Sequence, residues 1–145
     1  MAQAYRTQLE IPAPAAQVWE VLADLDRYHE WNPFTPKIET TRELGTPVLI
    51  HVSFDGAEPF LQREIIRRWE PGEELRWGMS IGPAWFFRAE RFQRVDPIDE
   101  TRSLYQSEDA FAGLFSPVVE RLYGAKVQRG LDATAAALAA KLGAA

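Results

Sequence analysis

Hydrophobic and polar residues alternate over residues 3–11, which is the pattern of a strand with one buried face. Pro12 ends this strand. Between residues 15 and 26 the apolar positions are spaced three and four residues apart, so they predict a short amphipathic helix. A second short helical turn over residues 27–32 is expected to stop before Pro33, because a residue that precedes proline is pushed out of helical geometry.

Six strand-like segments occupy residues 37–111, separated by turn signals such as Asp55-Gly56. Short connections between consecutive strands predict an antiparallel meander. An apolar stripe at helical spacing then runs over residues 119–138, and it predicts a long C-terminal helix that crosses the sheet. We therefore expect a single α+β domain over residues 1–145, in the order strand, two short helices, six strands and one long helix.

Gly124 and Gly130 interrupt the predicted C-terminal helix. Each costs about 1 kcal/mol relative to alanine in a helix interior. They therefore predict either close packing of the helix against its neighbours or a bend.

The composition excludes several classes of protein. The chain has 145 residues, a net charge of −5, no cysteine and two histidines. These counts exclude disulfides, cysteine-bound zinc and a histidine-rich metal site. No nucleotide-binding loop and no metal-ligand spacing appear, so we expect neither a metal nor a cofactor. The acidic balance also argues against nucleic acid as a partner, because phosphate binding needs a concentrated basic surface.

The sequence also predicts where the protein is located. No apolar run is long enough to span a membrane, and the first residues, MAQAYRTQLEIPAP, contain no signal-peptide core. We therefore expect a cytoplasmic protein without a membrane span. The sequence leaves its oligomeric state open between monomer and homodimer.

Three segments of the sequence resemble one known superfamily. They are IPAPAAQVWEVLADLD at residues 11–26, WEPGEELRW at 69–77 and FAGLFSPVV at 111–119. In this order they resemble the START-like or Bet v 1-like superfamily, and within it the bacterial SRPBCC branch of the polyketide cyclase/dehydrase type. The resemblance implies the helix-grip fold, in which a curved seven-stranded antiparallel sheet holds the long C-terminal helix above a cavity. It does not fix the function, because members of the superfamily bind lipids, polyketides, hormones or quinones, and others are cyclases or dehydratases.

Two positions depart from the pattern of that branch. Glu90 stands two residues before Phe92, where a histidine is common, and Asp109 stands two residues before Phe111, where a glutamate is common. Period-two alternation puts Glu90 on the same face as Phe92, which we expect to point inward. A carboxyl in an apolar pocket has a raised pKa, so Glu90 and Asp109 are the candidate acid–base groups. The alternative for Glu90 is an ion pair with Arg88, or a register that turns both side chains outward.

The aromatic content, 5 Trp, 4 Tyr and 8 Phe, predicts either an apolar ligand pocket or a filled core. In a helix-grip fold the inward strand faces and one stripe of the long helix line the cavity. The candidate ligand-binding residues are Trp31, Phe34, Val52, Phe54, Trp77, Met79, Phe92, Phe111, Val119, Tyr123 and Val127. For Trp31 the alternative is simple packing under the sheet edge.

Two features contribute less to the functional prediction. Val48, Ile50 and Val52 share one apolar face, so His51 is expected on the opposite, outer face of the sheet. The strand over residues 60–70 carries arginine on both faces and gives no phase. It leaves three of its charged residues unplaced: Arg63, Glu64 and Arg67.

The sequence favours binding of a small hydrophobic or aromatic ligand, lipid-like or polyketide-like, between the sheet and the C-terminal helix. The first alternative is a cofactor-independent polyketide aromatase/cyclase or dehydratase, in which Glu90 or Asp109 moves protons. The second alternative is a structural or partner-binding domain with a filled core. The sequence does not decide between binding and catalysis.

Overall fold

The computed structural model describes residues 3–143. Its elements are β1 (Gln3–Ile11), α1 (Ala15–Ala23), a 3-10 helix (Leu25–Glu30), β2 (Lys37–Thr40), β3 (Pro47–Val52), β4 (Phe60–Glu70), β5 (Glu74–Ile81), β6 (Phe87–Pro97), β7 (Ser103–Ala112) and α2 (Ser116–Lys141). The predicted α+β order is confirmed, with a 3-10 helix in place of the second short helical turn. No helix among the described residues is long and apolar enough to cross a membrane.

The seven strands form one antiparallel sheet in the order β1-β7-β6-β5-β4-β3-β2. The last six strands are a meander, as the short connections predict. The first strand closes the other end by pairing with β7, where Tyr5 lies opposite Asp109. Helix α2 follows β7 directly and packs chiefly against β1 and β7. One face of the sheet, called here the inner face, therefore looks toward α2, and the outer face looks away from it.

The close packing of α2 depends on two residues without side chains. A Cβ atom at Gly124 would overlap the Tyr5 hydroxyl, and one at Gly130 would overlap the ring of Phe34. These two glycines therefore permit close packing, one of the two alternatives that their positions predict. Farther along the helix, Leu131 and Leu138 are completely buried in the core.

A β-bulge divides β4 into two parts. Ile66 lies opposite Trp77 and Arg68 lies opposite Arg76, so Arg67 is the extra residue between them. Before the bulge, the side chains of even-numbered residues point inward. After the bulge the inward side chains are those of odd-numbered residues, such as Trp69. Trp69 meets Trp19 of α1 edge to face, with the ring centroids 6.1 Å apart. The bulge is the reason that this strand shows no single hydrophobic phase in the sequence.

Candidate ligand-binding site

An apolar cleft of about 550 Å³ lies between the inner face of the sheet and the first turns of α2. Its lining residues are Phe54, Phe60, Gln62, Met79, Ile81, Phe87, Ala89, Phe111, Phe115, Val119 and Tyr123. Gln62 is the one residue of this lining that carries an amide. The volume and the apolar lining are typical of sites for small organic molecules.

Phe54 is the centre of the aromatic cluster in this cleft. Its ring centroid is 5.3 Å from that of Phe60 and 5.8 Å from that of Tyr123, whose ring is stacked on it. The Nζ atom of Lys126 lies 5.9 Å from the ring centroids of both Phe54 and Tyr123. The cleft is therefore bordered by an aromatic wall with one cation at its edge.

A smaller chamber of about 70 Å³ lies beside the cleft and shares Phe54, Phe60 and Gln62 with it. Its other lining residues are Phe34, Thr35, Ile50, Val52, Glu64, Trp77, Arg91 and Asp109. Two carboxyl groups and one guanidinium group thus face this chamber, whereas the cleft has no charged side chain in its lining. The cleft and the chamber therefore adjoin each other, the cleft with an apolar lining and the chamber with a polar one.

Strand register brings the charged side chains of the chamber together. Asp109 of β7 lies opposite Arg91 of β6, which in turn lies opposite Trp77 of β5. Ile66 of β4 continues the same row, and Glu64 stands two residues before it. Because side chains two residues apart share a face of the sheet, Glu64 points inward with the others.

Burial changes the acidity of both carboxyl groups. It raises the pKa of Glu64 to about 8, with a further increase from Asp109 and an opposing effect of Arg91. It raises the pKa of Asp109 to about 7, again opposed by Arg91. The positive charge of Arg91 thus opposes the rise in pKa of both carboxyl groups. Near neutral pH one carboxyl group is able to donate a proton while the other accepts one.

Arg91 is itself buried, with 5% of its surface exposed. Its Nε atom is 3.5 Å from the Ser107 hydroxyl, and its guanidinium carbon lies 5.3 Å from the ring centroid of Phe34. Two buried polar atoms of the chamber, Arg91 Nη2 and Thr35 Oγ1, have no hydrogen-bond partner within residues 3–143. Those residues also contain no group of three or more acidic or histidine side chains that could hold a metal ion.

The structure brings most of the predicted site residues together. Asp109 faces the chamber, and eight of the predicted ligand-binding residues line the cleft or the chamber: Phe34, Val52, Phe54, Trp77, Met79, Phe111, Val119 and Tyr123. The sequence did not identify Glu64, Thr35 or Arg91 as site residues. For Arg91 a signal was present, because the alternate positions of β6 are nearly all charged and so mark the outer face.

The prediction that Glu90 and Phe92 point inward was wrong. Glu90 is exposed on the outer face, where its carboxylate lies 3.4 Å from Arg76 Nη1. Phe92 is on the same face, with the Arg76 guanidinium carbon 5.0 Å from its ring centroid. The physical reason is that the arginine covers an apolar ring that the sheet leaves outside, so the ring is partly buried without entering the core. The alternative register, with Glu90 and Arg88 turned outward, is the one observed.

Two further predicted residues lie outside the cleft and the chamber. Trp31 is half-buried and packs edge to face on Tyr28 of the 3-10 helix, with the ring centroids 4.9 Å apart. Val127 is buried in the core between α2 and the sheet. His51 of β3 is half-buried near Glu39, on the face opposite Val52, as its phase predicts.

Comparison with known proteins identifies the family. A family model described as "Polyketide cyclase / dehydrase and lipid transport" matches residues 2–143. The chain belongs to this family. The polyketide cyclase/dehydrase and lipid transport family was expected from the three sequence segments, and its match extends over nearly the whole chain. No curated protein sequence matches the chain.

Solved structures share the fold of this family member. The Zhui aromatase/cyclase from Streptomyces sp. R1128 has a TM-score of 0.73 and 21% identity, over 97% of this chain and 93% of that chain. A START superfamily protein from Mycobacterium smegmatis has a TM-score of 0.70 and 16% identity, over 95% of both chains. Norcoclaurine synthase from Thalictrum flavum, in complex with a transition-state analogue, has a TM-score of 0.70 and 17% identity, over 98% and 94%. At these identities the likeness shows the helix-grip fold alone.

Proposed function

We propose that this protein binds a small hydrophobic or aromatic molecule in the cleft between the sheet and α2. The observation that supports this most directly is the apolar cleft itself, which adjoins the polar chamber at Phe54, Phe60 and Gln62. A ligand in this site places its apolar body in the cleft and a polar substituent in the chamber. Membership of a family described by polyketide cyclases, dehydrases and lipid transport agrees with such a ligand.

The aromatic wall supplies the binding energy in this proposal. Removing apolar surface from water contributes about 25 cal/mol per Å². Rings with centroids 4.5–7 Å apart add about 0.5–1.5 kcal/mol for each pair. The stacked rings of Phe54 and Tyr123 are open to the cleft, so a planar ligand gains both contributions there.

A pair of variants on α2 tests this proposal. Val119 lines the cleft, whereas the neighbouring Val118 is exposed and outside its lining. We expect Val119→Trp to fill part of the cleft and to weaken binding of 2-naphthol at least tenfold in isothermal titration calorimetry. Val118→Trp adds the same side chain at the next position and should change the affinity less than twofold. Unchanged affinity in Val119→Trp would refute the cleft as the binding site.

A second candidate function is catalysis without a cofactor, as in a cyclase or dehydratase. It is favoured by the two carboxyl groups of the chamber, whose pKa values burial raises to about 8 and about 7. In this reaction class the ionised group takes a proton from a carbon next to a ketone, and the protonated group gives one to the ketone oxygen. The product is an enol, and the protons balance.

Deuterium exchange tests this second candidate. We expect the protein to accelerate exchange of the methyl protons of 2-acetylnaphthalene in D₂O, followed by NMR. Asp109→Asn and Glu64→Gln should each lower the rate about 100-fold or more, because general acid–base groups contribute about 10²–10⁴-fold. Glu90→Gln, on the outer face, is the control and should leave the rate unchanged. A rate equal to that of buffer alone would rule out this reaction.

A further inference from the structure

The size of the chamber limits what it can accept. A cavity that binds benzene has a volume of about 150 Å³, and one water occupies about 30 Å³ of liquid. The chamber, at about 70 Å³, therefore has room for one polar substituent or about two waters, but not for a ring. The ring that carries the substituent must stay in the adjoining cleft, beside Phe54 and Phe60.

The unpartnered atoms of the chamber indicate which substituent fits. Arg91 Nη2 is a donor, and Thr35 Oγ1 is both a donor and an acceptor; the two residues are 5% and 1% exposed. A buried polar group without a partner is unfavourable, whereas a hydrogen bond to it is favourable. An oxygen atom bound in the chamber would have Arg91 as a donor and Thr35 as a donor or acceptor in the same lining.

Charge disfavours a carboxylate or an ammonium group in this chamber. The guanidinium group of Arg91 opposes the rise in pKa of both Glu64 and Asp109. A ligand carboxylate would add a third acidic group to this cluster, and an ammonium group would lie against the fixed charge of Arg91. A hydroxyl group adds no charge. Its oxygen accepts from Arg91 while its proton is donated to a carboxylate.

We propose that the chamber is a hydroxyl subsite, in which a phenolic or enolic hydroxyl of the ligand bonds to Arg91, Thr35 and one of the two carboxyl groups. This inference rests on the proposed function, since it assumes that the apolar body of the ligand occupies the cleft. It adds the chemical class of the ligand: a planar apolar molecule that carries a neutral hydroxyl at one end. The subsite discriminates against the corresponding carboxylate and ammonium compounds.

Four related compounds test the subsite in isothermal titration calorimetry at pH 7: naphthalene, 2-naphthol, 2-naphthoate and 2-naphthylmethylammonium. We expect 2-naphthol to bind about 10- to 100-fold more tightly than naphthalene, because a hydrogen bond to a charged group contributes about 1.5–3 kcal/mol. Equal affinities for naphthol and naphthalene would overturn the subsite and leave the cleft intact. Tightest binding of the naphthoate or of the ammonium compound would also overturn it. Failure of all four to bind would refute the proposed function itself.

Three variants connect the preference to particular atoms. Thr35→Val and Arg91→Met remove the donors and keep similar side-chain volumes, so each should reduce the naphthol preference at least fivefold while naphthalene affinity changes less than threefold. Arg88→Met, on the outer face of the same strand, is the matched control and should keep the full preference. A preference that survives in both chamber variants would contradict the assignment. If Arg91→Met does not fold, Thr35→Val and the ranking of the four compounds still decide.

Discussion

The ring of Phe34 lies directly against the backbone of α2 at Gly130, with no space for a side chain between them. On its side away from α2, the Phe34 ring contacts residues of the binding site. The guanidinium carbon of Arg91 is 5.3 Å from its centroid, and the ring of Phe54 is 6.1 Å away. One aromatic side chain thus connects the position of the helix with both the chamber and the cleft.

Gly130→Ala is expected to destabilise the protein. Alanine gains about 1 kcal/mol in helix propensity, but overpacking of a core costs about 1–3 kcal/mol because Phe34 must move. We expect a net loss of up to about 2 kcal/mol in urea unfolding, together with weaker binding of 2-naphthol. Ala136→Gly, exposed on the same helix, should lose about 1 kcal/mol by propensity alone and keep its affinity. A Gly130→Ala protein more stable than the parent would show that the contact is loose.

Raising the pH from about 4 to about 8 is expected to lower the stability of the parent protein through Glu64 and Asp109. Burial raises the pKa of Asp109 from 3.8 to about 7 and that of Glu64 from 4.5 to about 8. In this window the unfolded chain releases protons that the folded protein retains, so the free energy of unfolding decreases as the pH rises.

The double variant Glu64→Gln/Asp109→Asn removes both groups and should show a flatter pH profile. One pKa unit corresponds to about 1.4 kcal/mol, so a shift of even one unit at each of the two groups should change the difference between parent and variant by about 3 kcal/mol between pH 4 and pH 8. Urea unfolding at several pH values measures it. Glu90→Gln serves as the control, and parallel profiles for parent and double variant would show that the two carboxyl groups are not buried as described.

Phe92→Ala distinguishes the outer face of β6 from the inner face. Because Phe92 packs under Arg76 on the outer face, we expect a loss of about 1–2 kcal/mol in stability and less than a twofold change in 2-naphthol affinity. Phe111→Ala, inside the cleft, should lower both stability and affinity. Calorimetry measures the affinity of the two variants, and urea unfolding measures their stability. A large loss of affinity in Phe92→Ala would mean that Phe92 faces the cleft after all.

Gly113 connects β7 to α2 in a conformation that other residues rarely adopt, with φ of +105°. A Cβ atom there would also collide with the Phe86 carbonyl. We expect Gly113→Ala to cost about 2–3 kcal/mol and to perturb the cleft beside Phe115. Gly82 also has positive φ, +64°, but faces open space, so Gly82→Ala should cost only about 1 kcal/mol. Thermal unfolding measures the stability of both variants. Equal losses of stability would mean that the collision with Phe86 contributes nothing.

The fold was predictable because most elements show their periodicity in the sequence. On β3 the alternation of Val48, Ile50 and Val52 predicts the buried face, and all three are buried in the structure. On β6 the pattern misleads, because its large ring Phe92 lies on the outer face and not on the inner one. The side chain of Arg76 over this ring belongs to the neighbouring strand, so the pattern within β6 does not contain it.

The polar end of the site was only partly predictable. Asp109 was identified beside Phe111, but its partners on other strands, Glu64 and Arg91, were not. A buried charge is stable only when its surroundings compensate for it, and those surroundings here come from strands far apart in the sequence. Glu64 was also hidden by the extra residue Arg67, which breaks the alternation within β4.

The single extra residue in β4 separates the first part of the strand, which lines the chamber, from the last part, which packs against α1. Substitutions between Phe60 and Ile66 alter the chamber without moving Trp69 away from α1, so the two ends of the strand are free to diverge. Deleting Arg67 would remove the bulge and leave Ile66 and Trp69 two positions apart, with both side chains still facing inward. Glu64 would keep its place in the chamber, because it shares the face of Ile66. A change of one residue in length at this point therefore alters the bend of the strand and leaves the charge of the pocket unchanged.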